Sequence, residues 1–175
     1  MKKLLITTLL LVMVNVLSYA QVHLQFMEIP INGTFDSFKE ELEAKDIHKD
    51  SYNKWGFSGY FFGTIAGISV DYNEETENVY GVTVRYNQSM TNKSESELVA
   101  LYKRIAQGLK KKYPRAKDIS LDGTILLVLT NGYIEMKAFK APAIFGGVTI
   151  ELTYVDKLNS PSYKVPVLKS RDEDL

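Results

Sequence analysis

No cysteine occurs in this chain of 175 residues, and histidine is nearly as scarce, with two. Without a thiol there can be no disulfide framework, iron–sulfur cluster, Cys nucleophile or Cys-ligated zinc. An excess of charge of either sign is also missing, since 21 Lys and Arg stand against 21 Asp and Glu. At 45% hydrophobic and 24% charged the composition excludes a disordered polymer and a collagen-like repeat. One domain is the expectation at this length.

Long apolar runs are limited to one, Leu4 to Leu17, behind the basic start Met1-Lys2-Lys3 and ahead of the small residues Ser18 and Ala20. This three-part pattern reads as a secretory signal over residues 1–20, cleaved between Ala20 and Gln21. The run contains Thr7, Thr8 and Asn15 and falls short of the roughly 20 apolar residues a span needs, so no transmembrane anchor is expected in the mature form. A lipoprotein is excluded because no Cys follows to accept the lipid. Losing Lys2 and Lys3 would leave 19 basic residues against 21 acidic, a net of −2. The expected product is periplasmic or extracellular and rests on its hydrophobic core for stability.

Residues 21–157 read as a single domain and 158–175 as an extended or disordered tail, from Ser160-Pro161, Pro166 and Arg171-Asp172-Glu173-Asp174. Gln21 to Ile31 reads as an extended segment with Leu24, Phe26 and Ile29 pointing one way and Pro30 ending the pairing. Thr34 is a plausible N-cap for a helix carrying Phe35, Phe38 and Leu42 on one face. Strands are expected near 57–63, 65–72 and 79–87. Ser94 and Glu97 then form a capping box ahead of a helix with Leu98, Leu101, Tyr102, Ile105, Leu109 and Tyr113 on its apolar face, stopped by Pro114. Gly108 inside that helix implies close packing against a sheet. Strands near 124–130, 133–140 and 147–155 follow, the first two joined by an Asn131-Gly132 hairpin turn. The expected fold is α+β: an antiparallel sheet with two helices on one face, in two tandem α-β-β-β halves.

Three groups of residues could carry function. The aromatic segment holding Tyr52, Trp55, Tyr60 and Phe62 could stack on sugars or anchor a protein partner; as a strand it would place Tyr60 and Phe62 together, opposite Phe57 and Phe61. Lys103, Arg104, Lys110, Lys111, Lys112, Arg115 and Lys117 form a basic stretch without an acid between them, able to attract an anionic surface or simply to solvate a helix end. Catalytic side chains are few. His23 is expected in a disordered start, and Asp46, His48 and Asp50 look more like a charged loop than a metal site. Glu135, Glu151 and Asp156 could supply paired carboxylates for glycan hydrolysis, but their alternation with apolar residues suggests a solvent face. Gly146-Gly147 is no phosphate loop, because it joins strands rather than opening a helix. No cofactor, no metal and no nucleic-acid partner is expected.

The block His23-Leu24-Gln25-Phe26-Met27-Glu28-Ile29-Pro30-Ile31-Asn32-Gly33 resembles the start of a group of small exported proteins of Bacteroidetes-type bacteria, whose mature part opens His-Leu-x-Phe-x-x-Ile-Pro-Ile-x-Gly. Leu101-Tyr102 through Tyr113 and Tyr154 through Asn159 are similar to later parts of that group, and the chain departs from it at Asp46-Ile47 and Pro114. The resemblance implies an exported α+β protein and brings no activity with it. The expectation is therefore an exported, non-enzymatic binding module for a protein or envelope partner. The alternatives are a small envelope-glycan hydrolase using paired carboxylates and a binder of anionic surfaces through the basic helix end.

Overall fold

The computed structural model describes residues 23–50, 56–140 and 147–168. The expected leader lies outside this range, as do Tyr52 and Trp55. In chain order the elements are β1 (Gln25–Phe26), β2 (Ile29–Pro30), α1 (Phe35–Glu43), β3 (His48–Lys49), β4 (Gly56–Phe61), β5 (Thr64–Tyr72) and β6 (Val79–Asn87). There follow α2 (Gln88–Thr91), α3 (Glu95–Lys112), β7 (Lys117–Asp118), β8 (Ile125–Leu129), β9 (Gly132–Lys140) and β10 (Val148–Asp156). The fold is α+β and is dominated by one antiparallel sheet of order β3-β4-β5-β6-β10-β9-β8-β7.

Alternation along each strand sorts the sheet into an apolar and a polar face. One row across the apolar face runs Phe57, Ile68, Val84, Leu152, Met136, Ile125, each opposite the next on the neighbouring strand. The pairing repeats itself: each residue of Phe57↔Ile68↔Val84 recurs 68 positions on in Ile125↔Met136↔Leu152 (57 to 125, 68 to 136, 84 to 152). Val84 and Leu152 are themselves partners, so the two three-strand meanders meet at that pair, and both side chains are fully buried.

Helix α1 begins at Thr34, whose hydroxyl accepts from the Ser37 N–H, and buries Phe38 and Leu42. Its Phe35 ring lies 6.1 Å from Phe57 of the apolar face. Helix α3 carries the expected capping box and buries Leu98, Leu101, Ile105 and Leu109 in the same core. Gly108 does make a close approach, but to the Phe62 ring at the β4–β5 turn rather than to a strand, and a Cβ there would come within 2.9 Å of that ring.

Several local expectations are corrected. The first segment is not one extended run but a tight hairpin, β1 pairing with β2, with Met27 and Glu28 both at positive φ as a two-residue hairpin turn requires. Pro30 is inside that pairing, opposite Gln25. The hairpin wedges Phe26 against Phe61 and Tyr154, with ring centroids 5.1 and 5.5 Å apart. The β8–β9 turn consists of Thr130 and Asn131, because Leu129 pairs with Gly132. Gly132 is the first residue of β9, where the Val155 carbonyl lies too close for any side chain. Short α2 and the two-residue edge strands β3 and β7 carry no periodic signal in the sequence.

The chain after β10 is tied down at its start. Asn159 donates from its amide to the Ile31 and Val79 carbonyls at 3.2 and 3.1 Å, and Tyr163 stacks on Tyr133 with centroids 5.9 Å apart. Residues 158–168 thus follow the fold without regular secondary structure. No helix among the described residues is long and apolar enough to cross a membrane.

Candidate functional site

The polar face of the sheet brings together residues far apart in sequence. Its central row is Gly67, Arg85, Glu151, Lys137. The Arg85 Nε donates to Glu151 at 2.8 Å and the Lys137 ammonium lies 3.0 Å from its other oxygen, so one carboxylate joins three strands. Burial alone would raise the Glu151 carboxyl, but the hydrogen bonds from Lys137 and Arg85 outweigh it and hold the group below the ordinary carboxylate range. A carboxyl held ionised in this way is ill suited to act as a general acid. In the neighbouring row the Thr83 and Thr153 hydroxyls meet at 3.3 Å.

Toward one end of this face stand exposed apolar groups. Tyr60, opposite Ile65 on the edge hairpin, is 72% exposed; Phe139, opposite Thr149, is 41% exposed. Such rings cost apolar hydration unless a partner covers them. Phe62 does not share the face with Tyr60. It occupies the β4–β5 turn at φ 51°, with its ring edge-on to Phe61 at 4.9 Å and over Gly108. The turn breaks the strand alternation, so Phe62 folds back onto the core while Tyr60 points to solvent.

The other end of the face holds a recess of about 210 Å³ lined by Val70, Asp71, Tyr72, Glu74 and Tyr80. A β-bulge builds it: Asp71 pairs with Gly81 and Tyr72 with Val79, leaving Tyr80 as the extra residue. Since Val79 and Val82 are both fully buried, Tyr80 and Gly81 must both face outward. Burial raises the Asp71 carboxyl above its ordinary range, with Glu151 adding and Arg85 opposing. Burial raises the Tyr80 and Tyr133 hydroxyls; Asp71 adds to both, at Tyr133 behind Glu135 and Tyr163.

The basic stretch is partly engaged. Arg104 donates to the Phe62 carbonyl at 3.0 Å, Lys112 lies 5.5 Å from the centre of the Tyr113 ring, and Lys110 pairs with Asp118 at 2.7 Å. Lys103, Lys111, Arg115 and Lys117 are exposed. The Asp118 carboxyl is held down to about 2, first by the Lys110 hydrogen bond and then by those from Ser120. A depressed carboxyl stabilises the fold above its unfolded value, near 4, and that contribution is lost as pH falls from about 4 to about 2. Because both partners are well exposed, the gain in stability is small. The sharper readout is a carboxyl-carbon NMR titration: Lys110→Ala is expected to move the Asp118 midpoint up toward the ordinary range.

Asp156, expected on a solvent face, is instead completely buried. Its two oxygens accept from the backbone N–H groups of Leu24 at 2.7 Å, Leu158 at 2.9 Å and Asn159 at 3.1 Å, and His23 Nδ1 lies 3.2 Å away. His23 is therefore ordered by this contact, contrary to the expected disorder at the start of the domain. The carboxylate clasps the first and last segments of the domain together and is spent on structure. Of the other two carboxylates considered for hydrolysis, Glu151 is tied to two cations and Glu135 lies in the adjacent row, opposite Thr153. His48 is exposed in β3 and Asp46 sits in the preceding turn at φ 59°.

Sequence reasoning missed Asp71, Tyr80 and Tyr133 as a group. The alternation Ala66, Ile68, Val70 places Asp71 on the polar face, but only the bulge brings Tyr80 beside it. In comparison with known proteins, no family model matches the chain, and no curated protein or solved structure matches it.

Proposed function

We propose that this chain is an exported, non-enzymatic binding module that meets a polypeptide partner of the cell envelope with the polar face of its sheet. In this reading the two α-β-β-β halves place both long helices on one face, and the part of the other not covered by Met90 of α2, over Gly67, and by Tyr163, on Tyr133, is kept for contact. It agrees with the leader-like start and with the resemblance to small exported proteins. The observation that carries it is the 72% exposure of Tyr60 on that face, which also holds exposed Phe139 and the Arg85, Glu151, Lys137 lane. Interface centres are enriched in aromatic residues and arginine, and tyrosine is among the residues whose truncation costs most.

The test is retention of envelope proteins on the immobilised full-length chain, wild type against Tyr60→Ser. Since the Tyr60 ring is mostly solvated, the variant is expected to keep its folding stability to within about 0.5 kcal/mol. It should lose a partner by at least about tenfold, the 1.4 kcal/mol or more of a truncated interface anchor. Equal retention of every protein by the two chains would remove this face as the contact surface.

A further inference from the structure

The recess at the bulge has the chemistry of a cation receptor. Asp71 and Glu74 bring two carboxylates to its wall and Tyr80 brings an aromatic side chain, while the Tyr72 ring is turned to the core against Phe35, 4.9 Å between centroids. No described residue donates a hydrogen bond to the Asp71 carboxylate. The nearby Arg85 guanidinium is already committed to Glu151 at 2.8 Å. Gly81, directly opposite Asp71, leaves room for that carboxylate: a Cβ at Gly81 would sit 3.1 Å from Asp71 Oδ2. In the same row, beyond Gly81 and Val155, stands Tyr133 with Tyr163 stacked on it. A half-buried carboxylate without a donor is costly unless a cation or water meets it, and tyrosine faces attract a cation that has lost part of its hydration.

We propose that the Asp71, Glu74, Tyr80 recess receives the side chain of an Arg or Lys presented by the polypeptide partner. The inference rests on the reading of this face as the contact surface and names the chemistry of one contact on it. The charged head meets Asp71 and Glu74, and its aliphatic stem lies against the Tyr80 ring. Charge complementarity selects this occupant, because the recess carries two acids and no base among its lining residues.

The experiment titrates the full chain with the pentapeptide amide Gly-Gly-Arg-Gly-Gly and with the same peptide carrying citrulline, a neutral isostere, following the Tyr80 ring signals by NMR. Expected are saturable shifts with the arginine peptide, at least about tenfold weaker binding of the citrulline peptide, and the same loss for the arginine peptide in Asp71→Asn. Val99→Ala, on the exposed side of α3 and outside the contact face, should leave the peptide affinity unchanged. Equal binding of the two peptides, or full affinity in Asp71→Asn, overturns the cation site. If the partner is lost in Tyr60→Ser but the arginine peptide never binds, the cation site fails and the contact face stands. If the peptide binds as expected but Asp71→Asn retains every envelope protein at wild-type level, the polypeptide source is overturned.

Discussion

Asp156→Ala is expected to destabilise the protein by about 4 kcal/mol, read as a lowered urea midpoint with an unchanged slope. The residue is fully buried and its carboxylate accepts three backbone N–H groups, those of Leu24, Leu158 and Asn159. Removing it orphans the buried Leu24 N–H, at about 1–3 kcal/mol, and the part-buried Leu158 and Asn159 N–H groups at a smaller cost each. Backbone groups cannot leave with the side chain, so the fold has no inexpensive relaxation. Asp156→Asn, which keeps one carbonyl oxygen, should cost roughly half as much. The effect has a location as well as a size: hydrogen exchange at Leu24 and Asn159 should accelerate more than at the centre of the sheet. A cost below about 1 kcal/mol would mean that the clasp does not hold the two segments.

Leu152→Ala should cost about 4 kcal/mol by chemical denaturation, the range found for a large-to-small change at a site that cannot collapse. Leu152 is fully buried, opposite Val84 on one side and Met136 on the other, where the two three-strand meanders meet. Its neighbours are held in register by two sets of backbone ladders, so a cavity at this point cannot close by moving one strand. Leu152→Met, which conserves volume, should stay below about 1.5 kcal/mol. Thr153→Ala, one residue on and facing the polar side, removes only a 3.3 Å hydroxyl contact and should cost about 1 kcal/mol or less. A Leu152 effect no larger than that of Thr153 would contradict the placement of the core on this face.

Much of this architecture is legible in the residues themselves. The capping box of Ser94 and Glu97, the apolar stripe from Leu98 to Leu109 and the alternation from Val148 to Tyr154 each depend on neighbours within a few positions. Local hydrogen bonding and periodicity therefore locate those elements. Where the expectation slipped, a distant group had intervened. Asn131-Gly132 has the better turn chemistry, yet the turn is Thr130-Asn131, because the Val155 carbonyl needs a residue without a side chain opposite it. Phe62 continues the aromatic alternation in sequence, but the turn at φ 51° carries it onto Gly108 of α3. Asp156 reads as the last polar residue of a strand until Leu24, more than a hundred positions earlier, donates to it.

Chemistry divided along the same line. Composition alone excluded thiol and disulfide chemistry, and the pattern of the strands set one polar face against one apolar face. Which polar residues meet was decided by strand order and by a single extra residue. Pairing β6 with β10 placed Arg85 beside Glu151, and the bulge at Tyr80 turned two consecutive residues outward and set a tyrosine ring next to Asp71. Local pattern can assign a side chain to a face, because the period of a strand is a property of the backbone. It cannot assign neighbours across strands, because register is a long-range choice made by the packing of the whole core.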